Sequence, residues 1–379
     1  MDWFTGGKSG EAKKLIAQLS DATKRDRAVQ ELIRLDAEAV PPLLETLQTP
    51  DLNLLATIQQ ILARIPSTSP ALIKILSTAH PILRGRAVEV LGISKDKSAV
   101  PALLDALRGE YFTIRSRAAL ALGNIGDAKT IPHIIPLLKD REDEVRIAAC
   151  LALGQFNDPS TFDDITNVLL DDTKIEVRQA AARALGNTKH PKAIPFLMEA
   201  LRDPFWWYER EQAASDLLSA IENMGAAAVD PLIEALQDKE GAVRKFAVIL
   251  LGNLKDARAM EPLAMAQYDL YHEVGKTAAA ALAELGAPAV PLLTEALSHP
   301  EMWIRIHAVH ALGRMDDPQF LPILLEMLND PEREVKKHVI ESLGGRKEAA
   351  VLSALENIVN NRADRELGAI AKSALEKNS

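Results

Sequence analysis

Ile131–Gly154 reads IPHIIPLLKDREDEVRIAACLALG, and the rest of the chain copies this stretch, with drift, about twelve times. Its apolar residues Ile131, Ile134, Ile135 and Leu138 fall at offsets 0, +3, +4 and +7, which form one stripe of an α-helix. This is helix A. Asp140 opens a short polar turn, and a second helix, helix B, carries Val145, Ala149, Cys150 and Leu153 on its buried side. Gly154 is expected to end helix B as a C-cap. The starting apolar position recurs at Val100, Ile131, Phe162, Ile194, Val229, Met260, Val290 and Leu321, at intervals of 31, 31, 32, 35, 31, 30 and 31 residues. A fixed period of this size means a solenoid of stacked helical pairs.

Three further positions hold phase. Nine residues after the start stands Asp140, Asp171, Asp203, Asp238, Asp269 or Asp330, and soon after it comes Arg146, Arg178, Arg210, Arg244 or Lys336. An acid and a base that recur repeat after repeat suit a ladder of pairs between neighbouring repeats better than a single active site. Most repeats close on a glycine: Gly92, Gly123, Gly154, Gly186, Gly252, Gly313 and Gly344. Proline at or just after the start, as at Pro101, Pro132, Pro195 and Pro291, fits the first turn of a helix, where its missing N–H does no harm. The pattern resembles the HEAT repeat, and within it the short subclass named after phycobilisome lyases, V-P-x-L-x-x-L-x-D, a turn, then V-R-x-x-A-A-x-A-L-G. The resemblance covers nearly the whole chain. It implies an all-α, right-handed α–α superhelix of the HEAT/armadillo type with about 12 helical pairs. Such a fold serves many roles, so function has to be argued from the surface.

Length and composition agree. A chain of 379 residues would ordinarily divide into two or three globular domains, but repeats that pack only on their neighbours have no such limit. One continuous array over 11–379 is expected, after a flexible leader at 1–10. Aromatics make up 4% of residues and hydrophobics 47%, with Ala and Leu left to do the packing. The single cysteine, Cys150, sits at a small core position of helix B, so no disulfide framework exists and a cytoplasmic location is expected. The start, MDWFTGGKSG, lacks the basic and apolar regions of a signal peptide, and no apolar run reaches the 18 residues that would suggest a membrane span.

Repeat one begins near Glu11 and repeat two at Val40; repeats three to six, from Ser69 to Gly186, are the regular ones. Repeat seven, about 191–225, departs most. Its interval stretches to 35 residues and its turn reads Asp203-Pro204-Phe205-Trp206-Trp207-Tyr208. In repeat nine Gly275 replaces the arginine, and helix B is expected to extend to Gly286. The last repeat starts near Val351 and ends in a polar sequence that suits a terminal cap.

Two surfaces are candidates for binding. On helix B the offsets +1, +2 and +5 from the arginine vary in chemistry between repeats and share one helical face. Arg117, Ile147, Leu151, Arg183, Phe246, Ile249, His307 and His310 lie there, and the resemblance implies a concave, exposed surface for them. The second surface is the edge formed by the A–B turns, where Tyr111, Phe112, Phe205, Trp206, Trp207, Tyr208, Tyr271 and Trp303 gather. Aromatics are favoured at interfaces because they bury a large area with few rotors. Two arrangements are open for the repeat-seven cluster: exposure to a partner, or burial as a plug.

His307, His310 and His338 share the helix-B phase and suggest a three-ligand cluster, but no carboxylate at clear ligand spacing joins them, and neither a metal nor any other cofactor is expected. One His-Glu pair, His272-Glu273, is too few for the iron-binding HEAT hydroxylases. The balance of 44 basic against 53 acidic residues, a net of −9, disfavours nucleic acid as a partner, although Arg84, Arg86, Arg115 and Arg117 could make a local basic patch. The expectation is a scaffold or adaptor without catalysis, whose partner is another protein or a peptide. The alternative is an enzyme or chromophore chaperone of the bilin-lyase kind, with a nucleic-acid-binding HEAT-like protein less favoured.

Overall fold

The computed structural model describes residues 5–78, 80–203, 206, 211–315, 317–361 and 364–378, and among these the only regular elements are helices. The chain divides into two compact units, residues 1–200 with 205–220, and residues 201–204 with 221–379. Where a leader was expected, a helix already begins at Thr5 and runs to Gln18.

Each of the eight phased starts is the first residue of a helix A: Val100–Ala106, Ile131–Ile134, Phe162–Asp171, Ile194–Leu201, Val229–Ala235, Met260–Ala266, Val290–Ala296 and Leu321–Glu326. The local cause lies four residues upstream. There Asp96, Asp127, Asp158, Asp256 or Asp317 accepts the backbone N–H two residues on, at 2.9–3.1 Å, and so closes a single 3-10 turn that aims the chain into helix A. His190 does the same through Nδ1 at 3.2 Å. In repeat five helix A is α-helical only over Ile131–Ile134 and tightens to 3-10 over Ile135–Lys139. Pro136 explains this: it has no N–H for the α-helical bond, and its ring would meet the carbonyl four residues back.

Gly344 stands at a C-cap, after Arg333–Leu343, but the other phased glycines do not cap helix B. The helices Phe112–Ile125, Asp143–Phe156, Ile175–Thr188 and Gly241–Leu254 each run two residues past Gly123, Gly154, Gly186 and Gly252. The left-handed caps are Gly126, Asn157, Lys189 and Lys255. The interior glycines exist for contact: a Cβ added at Gly154 would stand 2.8 Å from the Cα of Ala184 in the next repeat, and one at Gly186 2.7 Å from the Cα of Ala220. Successive B helices therefore pack almost backbone to backbone. The repeat-nine helix, His272–Leu285, ends on Gly286 as expected, but with the same 14 residues as these four it is no longer than they are. Cys150 is fully buried in this packing, which pushes its thiol up to about 12 and removes it as a nucleophile.

The acid–base ladder is real, and each rung joins two repeats. Arg115, Arg146, Arg244 and Arg305 donate from Nη1 to carbonyls of their own A–B turn, at 2.7–3.2 Å. Nε and Nη2 of the same arginines grip both carboxylate oxygens of the following turn's Asp140, Asp172, Asp269 and Asp330, at 2.6–3.2 Å. Each of these carboxylates also accepts the N–H two residues further on, which shapes the turn. Burial alone would push the Asp140 and Asp269 carboxyls up, but the Arg115 and Arg244 guanidiniums and those turn N–H groups outweigh it and hold both below the usual range.

In repeat six the rung uses Asp172 rather than Asp171, because helix A is ten residues long there and Asp171 is its last, exposed residue. Arg178 points its Nε at the Leu169 carbonyl, 2.7 Å away, and lies over the Trp206 ring. Where Gly275 replaces the arginine, the following turn carries His299 in place of the aspartate, and a Tyr268–His299 ring contact at 5.1 Å stands in for the rung.

Candidate functional site

Surface-exposed large apolar side chains concentrate where the A–B turn enters helix B. In the first unit Leu52, Ile82, Tyr111 and Phe112 occupy the N-cap or the first two positions of their helices and are all exposed, Tyr111 by 45%. In the second unit the same location presents Leu270, Tyr271 and Trp303, with Met265 just before the turn. Leu270 is 100% exposed, Tyr271 59% and Trp303 44%. The aromatics of this edge were expected from the sequence, whereas Leu52, Ile82, Met265 and Leu270 were not. Their signal was available, since each is an apolar residue at or beside a polar turn with no helix stripe to join.

The edge is held by the ladder beneath it. The Tyr271 N–H donates to the Asp269 carboxylate at 2.8 Å, and its ring lies against the backbone of Gly241, where an added Cβ would meet ring atoms at 3.1 Å. The Arg244 guanidinium sits over that ring, 5.0 Å from its centroid. Trp303 meets the His272 ring edge-on, with centroids 5.1 Å apart at 88°. Pro262, Met265, Leu270 and Tyr271 line one groove with Arg244 at its base. Tyr271 and Trp303 are thus held before any partner arrives, which lowers the entropy cost of using them.

Trp206 is not part of this exposed edge. It is fully buried under Arg178, and its indole N–H has no hydrogen-bond partner. It packs as a plug, and burial withdraws it from the candidate contact set. Phe205, Trp207 and Tyr208 lie outside the described residues.

The helix-B face is more self-satisfied than its sequence suggests. Arg117 pairs with Glu89 at 2.7 Å, and Glu89 also accepts from Gln59 at 2.6 Å. Arg183 pairs with Asp216 at 3.2 Å. Ile147, Leu151, Phe246 and Ile249 are half-buried between neighbouring helices. The basic patch is likewise spent within the protein, because Arg115 serves the ladder and Arg86 donates to the carbonyls of Leu47 and Thr49 at 2.6 and 3.0 Å.

The histidines form two pairs rather than one triad. His307 Nε2 lies 3.0 Å from His272 Nε2, and His310 Nε2 lies 3.1 Å from His338 Nδ1. His307 is only 5% exposed and its Nδ1 has no partner. Burial, reinforced by the like-charged neighbours His272 and His310, lowers its pKa to about 4, so the ring is neutral at pH 7. It is therefore a packing residue. His310 is half-buried.

The HEAT-repeat family model matches residues 69–144, 131–217, 265–344 and 290–376, more than half of the chain, and the chain belongs to that family. Among solved structures it is similar to Kap121p bound to Pho4p, with 13% identity and a TM-score of 0.56 over 98% of this chain and 49% of that one. It is also similar to Kap95p in its complex with RanGDP, with 13% identity and a TM-score of 0.54 over 100% of this chain and 63% of that one. The CpcE–CpcF phycocyanin lyase of Nostoc matches at 22% identity over 60% of this chain and 92% of that one, but with a TM-score of 0.37, which carries no argument about activity. No curated protein matches. These likenesses show a helical solenoid fold, and among the described residues no helix is long and apolar enough to cross a membrane.

Proposed function

We propose that this chain is a non-catalytic scaffold or adaptor that binds another protein or a peptide along its A–B turn edge, with the half-buried apolar groups of the helix-B face as a secondary contact. A cytoplasmic location belongs to the same proposal. The observation that carries it is the row of exposed large apolar side chains at the turns, from Leu52 to Phe112 in one unit and from Met265 to Trp303 in the other. A turn between helices needs only a short polar connection, as Arg141-Glu142 supplies in repeat five, so packing does not account for Leu270 or Trp303. Clustered exposed apolar side chains mark contact surfaces. Karyopherins of similar fold are themselves seen bound to proteins, Kap121p to Pho4p and Kap95p to RanGDP. The net charge of −9 speaks against nucleic acid as the occupant.

The test is capture of partners from lysate with the full chain as bait, identified by mass spectrometry and then measured as purified pairs. Tyr271→Ser combined with Trp303→Ser is expected to leave the melting temperature almost unchanged and to weaken the purified pair by about 30-fold or more, the effect of losing one or two interface aromatics. Unchanged affinity in that variant, with loss instead in Phe246→Ser, would move the site to the helix-B face and end the edge assignment.

A further inference from the structure

We propose that His310 and His338, with Glu341 as third donor and Glu334 as the orienting group, form a binding site for a divalent transition-metal ion of the zinc type between the B helices of repeats ten and eleven. His310 lies on Met302–Arg314 and His338 on the neighbouring helix Arg333–Leu343. The two facing nitrogens, His310 Nε2 and His338 Nδ1, are 3.1 Å apart. Two donors bound at about 2.0–2.1 Å to one ion, at an angle between octahedral and tetrahedral, stand about 2.9–3.4 Å apart. The rings are thus already at chelate spacing.

The surroundings add what a chelate needs. Glu341, one turn after His338, places Oε2 3.1 Å from His338 Nδ1 on the side facing His310. Glu334, one turn before it, places Oε1 3.5 Å from the other ring nitrogen, Nε2. The same Glu334 oxygen accepts from Lys337 Nζ at 3.0 Å, and when zinc takes Nδ1 the ring proton moves to Nε2, where this carboxylate stands to hold it, the arrangement that supports metal-bound histidines. Among the described residues no three such side chains already converge on one point, so Glu341 completes the set by a change of rotamer. Imidazole and carboxylate donors together select zinc, nickel or copper over magnesium or calcium.

The other pair lacks this support. His307 Nδ1 is buried with no partner, so a metal on its Nε2 would have no group to hold the ring, and Glu273 stands 3.8 Å from His272 on an exposed side chain. A plain N–H···N bond between two neutral rings gives the same spacing as a chelate, and binding separates the two. Zinc chloride is titrated by calorimetry into the full, tag-free chain up to about 1 mM, the weak end of the affinity scale. The expected result is one site per chain, abolished by His310→Ala and by His338→Ala, and weakened about 10–100-fold by Glu334→Gln. His272→Ala should bind as wild type does, and magnesium should give no heat. The melting temperature should rise with zinc in the wild type and in Glu334→Gln, which covers the case in which a histidine variant folds poorly. Absence of zinc binding, binding that survives both His338→Ala and Glu341→Gln, or equal binding of magnesium would overturn the assignment.

Discussion

Removal of the Arg146 side chain tests the ladder as a structural device. Arg146→Ala deletes two charge-assisted bonds to Asp172, at 2.7 and 3.2 Å, and one to the Asp140 carbonyl at 2.9 Å. The Asp172 carboxylate is left in place, only 10% exposed, with the Lys174 N–H at 2.8 Å as its remaining partner. One-sided loss of a fully buried pair costs about 3–5 kcal/mol. The retained N–H and some access for water bring the expectation here to about 2–3 kcal/mol, with each lost bond to a charged group worth about 1.5 kcal/mol or more. For a cooperative unit of about 200 residues that is a fall in melting temperature of about 5–10 °C. Thermal melts followed by circular dichroism give the number. Arg333→Ala is the control, since that guanidinium bridges Asp364 from a side chain 53% exposed and its loss should shift the melt little. Equal shifts in the two variants would refute the view that burial makes the rung matter. A double substitution with Asp172→Ala should cost less than the sum of the singles, because it removes the stranded charge as well.

Gly154→Ala should destabilise, despite alanine's better helix propensity, because the new Cβ would lie 2.8 Å from the Ala184 backbone; Gly10→Ala, with nothing within 4 Å, should stabilise by about 0.5–1 kcal/mol. Urea midpoints of the pair check both signs. Trp206→Ala should cost about 3–5 kcal/mol by emptying its pocket, whereas Trp206→Phe, which deletes an unpaired buried N–H, should cost far less. Asp140 and Asp269 titrate below the usual carboxylate value in the folded chain, so the stability they confer is complete above about pH 4 and drains away as pH falls through their lower folded values. Urea midpoints between neutral pH and about pH 3 should therefore fall more steeply for the wild type than for Asp140→Asn, which starts lower at neutral pH.

The repeat starts were legible to the residue, because Val100, Ile131 and their counterparts carry the apolar phase and, at all of them but Phe162, a proline one or two residues on. The glycine role was not. A glycine at the same phase in most repeats reads as a stop signal in one dimension, and only the distance from Gly154 to Ala184 shows that it is a contact. The ladder's residue types were readable, and three of its four rungs use the phased Asp140, Asp269 and Asp330; only Arg146 reaches Asp172 rather than the phased Asp171, and that depends on one extra helical residue. At the candidate edge, Leu270 and Met265 were passed over because leucine and methionine are ordinary core residues, although their place at a polar turn set them apart. Trp206 was hidden the other way, as an aromatic in a turn that folds inward.

The arginine forks all reach in one direction, each from its own turn toward the carboxylate of the repeat that follows in sequence. A ribosome releases such a chain one repeat at a time, and each newly emerged arginine waits as an unmatched cation until about 25 more residues have appeared. Each of these four repeats is thus finished by its successor. Trimming repeats from the C-terminal side would strand a guanidinium at the new end, and trimming from the N-terminal side would strand only a carboxylate that its own turn N–H still satisfies. The two ends of any shortened array would differ in charge and in tolerance, and a designed C-terminal cap would have to bring an anion with it, as Asp364 and Glu366 do for Arg333 here.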